Sequence, residues 1–357
     1  MNQKPLESKS VSYSEQIKID NTVKLRQLEE SLPDFTKEFF LGIKNQTSSR
    51  TRISYAYDLQ IFFDFLLEHC NRFKSRSSVQ DFCVKDLELL TPTDIELYLD
   101  YLSYYVKDGK AHSNDEAGIK RKITSLRSFY NYFYRKEAIT YNPASLVRTP
   151  KLHSKEIIRL DIDEIVKLLD KVESGEDLSD TQKKYHDKTR VRDLALLTLL
   201  LGTGIRVSEC VGIDINDVDF NNNGVKITRK GGNESIVYFG DEVEKALKDY
   251  LEERLKIVTP DGHENAFFLS MQKKRMSVRA VEKLVKKYSM LVTSIKHITP
   301  HKLRSTYGTN LYQETGDIYL VADVLGHKDV NTTKKHYAAV DDYRRRSAAN
   351  VVKLREK

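Results

Sequence analysis

Apolar side chains recur at helical spacing through most of the first 140 residues. Residues 17 to about 45 show the pattern with an interruption at Pro33, and the stretch "SSRTRISYAYDLQIFFDFLLEH" opens on Ser and Thr capping residues. In "TPTDIELYLDYLSYY", Pro92 lies in a first turn and Asp94 and Glu96 lie near the positive helix end. The other apolar stripes comprise Leu59, Phe62, Phe63, Leu66 and Leu67, and then Ile123, Leu126, Phe129, Tyr130 and Phe133. These patterns predict an all-helical first domain.

The helical pattern stops at "TYNPASLVRTPKLHSKE", where two X-Pro pairs enclose a polar, basic stretch. A residue before proline is biased away from the α conformation, so this stretch is predicted to be an interdomain linker. We predict a flexible N-terminus at 1–15, a helical first domain with an N-terminal extension at 16–148, a linker at 149–160, and a second domain with a C-terminal tail at 161–357.

The second domain is also predicted to be mostly helical. It opens with a helix near 161–172, continues through a polar surface loop at 173–189, and then enters the apolar run "LALLTLLLGTG", a buried helix that ends at its glycines. In "VKITRKGGNESIVYFG", two β-branched or aromatic runs flank Gly231, Gly232 and Asn233, which suit a tight hairpin turn. After Pro300 the pattern is helical again. The chain is therefore predicted to be mainly α, in two domains, with a small antiparallel β-sheet.

The charge distribution extends this picture toward a polyanionic partner. Lys and Arg total 59 against 52 acidic residues, a net charge of +7, and basic clusters occur at 120–122, 228–232, 273–275 and 344–346. One such cluster is usually a solvated helix face, but four in both halves make a nucleic-acid groove an equally good interpretation. No segment is apolar enough to span a membrane, the first residues lack a secretory pattern, and three scattered cysteines favour a reducing cytoplasm.

Candidate chemistry is concentrated in the second domain. His301 and Arg304 are three residues apart on a helix that Thr299-Pro300 should begin, so they share a face, although a surface pair would look the same. Arg206 follows the end of the buried helix, with Glu209 three residues on. This could be a local ion pair or a guanidinium held for a bidentate phosphate contact.

Two further positions add weaker signals. Lys230 lies at the predicted hairpin tip, where a lysine is ordinarily solvated but could also deliver one ammonium group into a groove. His327 follows Gly326, which allows a close approach of the backbone to a neighbouring surface. Each signal alone is compatible with an ordinary surface residue.

The order of these residues along the chain is far more specific. Arg206, Lys230, His301, Arg304, His327 and Tyr337 fall in "GTGIRVSE", "RKGGNES", "TPHKLRSTYGTNL" and "VADVLGHKDVNTTKKHY". With these motifs the second domain resembles the tyrosine recombinase (phage integrase) family along its whole length. The first domain resembles that family's helical, SAM-like core-binding domain, including "NPASLVRTPK" at its exit. The extension before residue 45, the insertion near 174–190 and the overall length are most similar to the single-recombinase XerS branch of the Xer group.

The resemblance implies transesterification on DNA. The Tyr337 phenolate would attack a phosphodiester and form a 3′-phosphotyrosyl link, releasing a 5′-hydroxyl. Because a phenol has a pKa near ~10, neighbouring cations and a proton acceptor must help to form the nucleophile.

The resemblance also assigns roles to the other motif residues. Arg206 and Arg304 would stabilise the phosphorane, and Glu209 would orient Arg206. His301 would assist proton transfer, Lys230 would protonate the 5′-oxygen, and His327 would donate a hydrogen bond to a phosphate oxygen. No metal and no cofactor is implied, because one phosphoester bond replaces another.

Two positions depart from the family pattern. Many relatives have the tyrosine nine residues after the "LGH" histidine; here that position is His336, and Tyr337 is the tenth. We assign Tyr337 because position 336 cannot supply a phenol, whereas Tyr343 lies too far along, in the basic tail. Ser305 stands where Xer proteins often have a further histidine. This difference affects a supporting hydrogen bond and leaves the expected reaction unchanged.

The implied partners are double-stranded DNA with inverted-repeat half-sites, three further copies of the chain in a homotetramer, and a DNA translocase. The tail, residues 342–357, would dock on a neighbouring protomer as it does in relatives, with folding back on its own domain as the alternative. The expected role is Xer-type chromosome dimer resolution in the cytoplasm, with integration or excision of a mobile element as the alternative. A non-catalytic DNA-binding protein and a type IB topoisomerase are the competing classes.

Overall fold

The computed structural model describes residues 12–152, 157–229, 232–327 and 329–337, with the backbone alone at 332 and 335–337. The chain divides into two compact units, residues 1–155 and 156–357. The prediction of a mainly α chain with a small antiparallel sheet is confirmed. Among the described residues, no helix is both long enough and apolar enough to cross a membrane.

The regular elements follow one another in this order. The helices are α1 (Tyr13–Glu29), α2 (Thr36–Gly42), α3 (Ser49–His69), α4 (Pro92–Ser103), α5 (Glu116–Arg135), α6 (Ile162–Ser174), α7 (Asp180–Thr203), α8 (Val207–Gly212), α9 (Asp241–Arg254), α10 (Val278–Val292), α11 (Pro300–Thr315), α12 (Ile318–Leu325) and α13 (Val330–Tyr337). The strands are β1 (Tyr104–Lys107), β2 (Lys110–Ser113), β3 (Val218–Asp219), β4 (Gly224–Thr228) and β5 (Glu234–Tyr238).

The first unit is organised around α3 and α5, whose predicted apolar stripes meet in an aromatic core. Phe129 lies with its ring centroid 6.1 Å from Phe63 and 5.2 Å from Phe133. Burying one such side chain is worth roughly 1.5–3 kcal/mol, so these rings hold the helices together. The core also fixes the N-terminal extension, since α1 packs on α3 and α2 on α5. Residues 13–15, predicted to be flexible, are the first turn of α1.

The prediction of an all-helical first domain is wrong in one segment. Helix α4 ends at Ser103, and β1 pairs with β2 in an antiparallel hairpin. Asp108 and Gly109 in its turn have φ values of +51° and +70°, which a type I′ turn requires at both central residues. The Asp-Gly pair carried this signal, but the apolar run "YLSYY" extended the helical pattern to Tyr105, inside the first strand.

The second unit is built around α7, which contacts α6, α8, α9 and α11. Its C-terminal half is buried on all sides, as the apolar run predicts. The prediction of a surface loop at 173–189 is wrong, because α6 extends to Ser174 and α7 begins at Asp180. The Nε2 atom of His186 lies 2.8 Å from the Val172 carbonyl oxygen, so contact with α6 stabilises the polar start of α7.

The predicted hairpin forms the second sheet. Strands β3, β4 and β5 lie in that order and pair antiparallel, with Val225 opposite Val237 and Thr228 opposite Glu234. The described residues at its tip are closed by a hydrogen bond from the Arg229 amide to the Asn233 carbonyl, at 2.8 Å. This confirms the only strand pair that the sequence predicted.

Candidate active site

Arg206 lies at the junction of α7 and α8. Helix α7 ends at Gly204, whose φ of +63° is the left-handed conformation of a helix cap. Arg206 is the N-cap residue of α8. The Glu209 carboxylate accepts one hydrogen bond from the Arg206 amide and one from its Nη1, both 2.8 Å long. The Glu209 carboxylate is buried, whereas about a third of the Arg206 side chain is exposed. A buried acid therefore orients a guanidinium that reaches the surface, a contact that fits both interpretations of this pair.

Arg304 lies in the second turn of α11. Thr299 caps this helix through its side chain and Pro300 is the first residue, as predicted. The Arg304 side chain is buried, at 4% exposure, and its Nη1 donates to the Gly204 carbonyl at 2.6 Å. Its Nη2 donates to the carbonyl of Leu325. One guanidinium thus joins the segment just before Arg206 to the end of α12.

His327 is positioned by the end of α12. Gly326 has φ +62°, and the His327 amide donates back to the Ala322 carbonyl at 2.9 Å, which turns the chain sharply. The His327 Nδ1 lies 2.7 Å from the hydroxyl of Thr333, a fully buried residue of α13. The histidine is therefore connected to the helix that ends at Tyr337.

Arg229, the last described residue before Lys230, contacts the same loop. Its Nη2 donates to the Val324 carbonyl at 3.2 Å. A β-carbon at Gly326 would overlap its guanidinium, so the glycine makes room for the arginine. The hairpin strand is thereby tied to the loop that carries His327.

These contacts bring three of the predicted residues to one region: Arg206, Arg304 and His327. His301, exposed in the first turn of α11, is one turn before Arg304, and its carbonyl accepts the Ser305 hydroxyl at 3.1 Å. Lys230 lies outside the described residues, and Tyr337 is described only as the last backbone position of α13. Their roles remain predictions.

The electrostatics of this region suit an anion. Arginine side chains on three different elements contribute fixed positive charge, and each is oriented by a carboxylate or by main-chain carbonyls. Preorganised donors of this kind stabilise negative charge that develops on a phosphate. Within the described ranges, no group of His, Cys, Asp and Glu side chains could hold a metal ion.

The buried groups near these arginines are not activated nucleophiles. Burial raises the pKa of the Tyr307 phenol, and Tyr307 packs where a β-carbon on Gly204 would lie. Burial also raises the pKa of the Cys210 thiol, with the neighbouring Glu209 charge acting in the same direction. The raised pKa values make the Tyr307 phenolate and the Cys210 thiolate harder to form, so burial disfavours both groups as nucleophiles.

Sequence reasoning missed Arg229 and Thr333. Arg229 was noted only as part of a basic cluster, and its contact with Gly326 is formed by segments about 95 residues apart. Thr333 carried no chemical signal of its own. It is only six residues after His327, a separation that a tight loop and one helical turn can bring into contact.

The fold is similar to that of a solved site-specific recombinase. It is similar to the solved structure of the XerH site-specific recombinase bound to a palindromic difH substrate in a post-cleavage complex, with a TM-score of 0.62, 19% identity, and coverage of 98% of this chain and 99% of that chain. At this identity the similarity defines the fold.

Sequence comparison then defines the family. Residues 158–344 match the phage integrase family. The chain is 33% identical over 325 residues to tyrosine recombinase XerC of Caldanaerobacter subterraneus subsp. tengcongensis, covering 89% of this chain and 86% of the relative. It is 30% identical over 348 residues to tyrosine recombinase XerS of Streptococcus uberis, covering 89% and 95%. The chain belongs to the phage integrase family and is a tyrosine site-specific recombinase.

Proposed function

We propose that this chain cuts and rejoins two DNA duplexes at a specific site through a 3′-phosphotyrosyl intermediate, in Xer-type resolution of chromosome dimers. The observation that carries the proposal is the buried Arg304 guanidinium, which donates to the carbonyls of Gly204 and Leu325. Because these carbonyls lie two residues before Arg206 and His327, this contact supports a single anion site built from all three side chains.

The chemistry follows from the charges at this site. Attack by the Tyr337 oxygen on phosphorus forms the phosphotyrosyl bond and breaks the bond to the 5′-oxygen. Arg206 and Arg304 stabilise the negative charge of the phosphorane, and His327 donates to one of its oxygens. His301 assists removal of the phenol proton. One phosphoester replaces another, so the reverse attack by a 5′-hydroxyl of the second duplex rejoins the strands without an energy source.

Lys230 is the proposed general acid that protonates the departing 5′-oxygen. Support comes from its neighbour: Arg229 donates to the Val324 carbonyl and lies against Gly326. This contact restrains the hairpin strand close to His327. Because Lys230 follows Arg229 directly in the sequence, this contact supports a role for Lys230 at the same site.

Tyr337 is the proposed nucleophile for a related reason. It ends α13, and Thr333, one turn earlier on that helix, lies 2.7 Å from the His327 imidazole. Tyr307 is a poorer candidate, because its partial burial raises the pKa of its phenol. His336 is proposed to have no chemical role.

The first unit is proposed to be the DNA-binding half of the protein. Helix α5 carries five Lys or Arg residues and a single acid, and is long enough, at about 30 Å, to follow a groove. Its exposed stripe includes Thr124, Asn131 and Arg135, opposite the buried apolar face. Arg121 is half-exposed, and the buried Asp58 carboxylate holds its guanidinium through two hydrogen bonds of 2.5 and 2.6 Å.

The proposed assembly is a homotetramer on inverted-repeat half-sites, with a DNA translocase as a further partner, acting in the cytoplasm. Support comes from relatives: XerH was solved on a palindromic difH substrate, and curated relatives are Xer recombinases. The tail at 342–357, proposed to dock on a neighbouring copy, lies outside the described residues. All three cysteines are free thiols, which fits a reducing compartment.

Suicide substrates test this function directly. DNA duplexes carry candidate half-sites with a nick, so that the released strand diffuses away and the covalent adduct accumulates. We expect adducts with the unsubstituted chain, none with Tyr337→Phe, and slowed formation at most with His336→Ala. Adduct formation by Tyr337→Phe would contradict the assignment. Efficient relaxation of a supercoiled plasmid that lacks a target site would instead favour a topoisomerase, and target sites confined to mobile elements would favour an integrase.

A further inference from the structure

Thr333 makes a contact that distinguishes it from the other buried threonines of the second unit. Thr306 and Thr309 donate to the carbonyl four residues earlier in their own helix, at 2.9 and 2.8 Å. Thr333 is completely buried and its hydroxyl lies 2.7 Å from the Nδ1 atom of His327, outside its own helix. A buried hydroxyl at an imidazole nitrogen fixes the rotation of the ring, and the direction of this hydrogen bond decides which ring nitrogen carries the proton.

The position of that proton matters for the role proposed for His327. A neutral imidazole carries one N–H, on either Nδ1 or Nε2. If the Thr333 hydroxyl donates to Nδ1, the proton must reside on Nε2, and the ring presents an N–H donor on its far side. A donor on Nε2 is what a phosphate oxygen requires, and it is then present without protonation of the ring.

We infer that Thr333 is a positioning residue for the recombinase reaction: its hydroxyl donates to Nδ1 of His327, holds the neutral ring in the Nε2–H form, and joins this phosphate ligand to the helix that ends at Tyr337. The inference rests on the proposed function for its consequence in catalysis. The tautomer itself is a property of the folded chain without DNA. Since α13 is the helix of the proposed nucleophile, one hydrogen bond links the orientation of the phosphate ligand to the docking of that helix.

Two variants separate the hydroxyl from the packing of the side chain. Thr333→Val keeps the shape and removes the hydroxyl, whereas Thr333→Ser keeps the hydroxyl and removes a methyl group. Each is made alone and in a His327→Ala background, and the single-turnover rate of adduct formation is measured at saturating suicide substrate. Thermal unfolding and half-site affinity are measured in parallel.

We expect Thr333→Val to slow adduct formation about 10-fold or more, while Thr333→Ser stays within about threefold of the unsubstituted chain. In the His327→Ala background, Thr333→Val should slow the reaction by less than about twofold, because the hydroxyl acts only through the imidazole. Equal slowing in both backgrounds, or no slowing in either, would overturn the inference, since a packing role does not depend on the ring.

A measurement without DNA keeps this inference separate from the proposed function. The ¹⁵N resonances of the nine histidines are recorded at a pH where the rings are neutral, and His327 is assigned from the His327→Ala spectrum. We expect the Nε2–H form in the unsubstituted chain and in Thr333→Ser, and a mixture of tautomers in Thr333→Val. An Nδ1–H form in the unsubstituted chain would overturn the inference even if the protein cleaves DNA. If no adduct forms with any half-site, the proposed function fails and the tautomer result still decides the contact.

Discussion

Substitution of Gly326 by alanine should weaken the contact that ties the sheet of the second unit to the His327 loop. Gly326 has φ +62°, and a β-carbon there would overlap the Arg229 guanidinium. The left-handed conformation costs an alanine about 1 kcal/mol. Displacement of Arg229 from the Val324 carbonyl, now 3.2 Å from Nη2, costs about 1 kcal/mol more. The expected loss in unfolding free energy is therefore about 2 kcal/mol.

Gly262 offers a matched control. Its φ is +81°, and an added β-carbon there would meet no atom within 4 Å. Gly262→Ala should therefore cost only the conformational strain, about 1 kcal/mol. Urea unfolding of both variants measures the difference between their unfolding free energies. The dependence of that free energy on urea concentration is compared to check that the transition itself is unchanged. In an Arg229→Ala background, Gly326→Ala should cost no more than Gly262→Ala.

Gly326→Ala should also have a kinetic effect. A displaced Arg229 releases the strand that leads to Lys230, so Gly326→Ala should slow adduct formation on a suicide substrate, whereas Gly262→Ala should not. Equal stability losses for the two glycine variants would refute the argument. So would a Gly326→Ala penalty that stays the same after Arg229 is removed, because the overlap would then have no part in it.

Three further substitutions test other contacts of the second unit. Glu209→Gln removes the charge that orients Arg206 and should slow adduct formation about 10-fold, while Glu282→Gln, in an exposed pair 3.8 Å long, should have no effect on that rate. Gly204→Ala combines left-handed strain with overlap onto the partly buried Tyr307 ring and should lower the unfolding free energy by about 2–4 kcal/mol in urea titrations. Asp193→Asn removes the charge of a buried carboxylate, 1% exposed, that pairs with an arginine and a lysine. It should lower the unfolding free energy by about 3–5 kcal/mol in the same assay.

Much of the fold could be predicted because local signals and tertiary packing agree. The apolar stripes of α3 and α5 are the faces that meet in the aromatic core. Thr299 and Pro300 begin α11 as their capping chemistry indicates. The hairpin of β4 and β5 has β-branched strands on either side of a glycine turn. In each case the sequence pattern and the final environment favour the same conformation.

The predictions of secondary structure fail where tertiary contacts determine the conformation. The start of α7 is polar and has no apolar stripe, so its helix depends on the Ser179 cap and on the contact of His186 with Val172. In the first unit, an apolar run masked the Asp-Gly turn of the β1–β2 hairpin. Both segments have local patterns that fit more than one conformation.

For the site, the motif residues were predictable but their connections were not. Arg304 meets Gly204 at a separation of 100 residues and Leu325 at 21. Such contacts follow from how α11 packs beside α7 and α12 beside α11, which periodicity does not encode. The Arg304 guanidinium was expected to bind a phosphate, but its hydrogen bonds to main-chain carbonyls were not predicted. Thr333 and Arg229 were missed for the same reason.

The most direct test of the account is to identify the residue that becomes attached to DNA. A suicide half-site is cleaved by the unsubstituted chain, the adduct is digested with protease and nuclease, and the modified peptide is sequenced by mass spectrometry. The account predicts a nucleotide joined through its 3′-phosphate to Tyr337, and loss of that adduct when Arg304 is replaced by alanine. An adduct on any other tyrosine, or one that forms at the same rate without Arg304, would contradict a single phosphate site assembled from α8, α11 and the His327 loop.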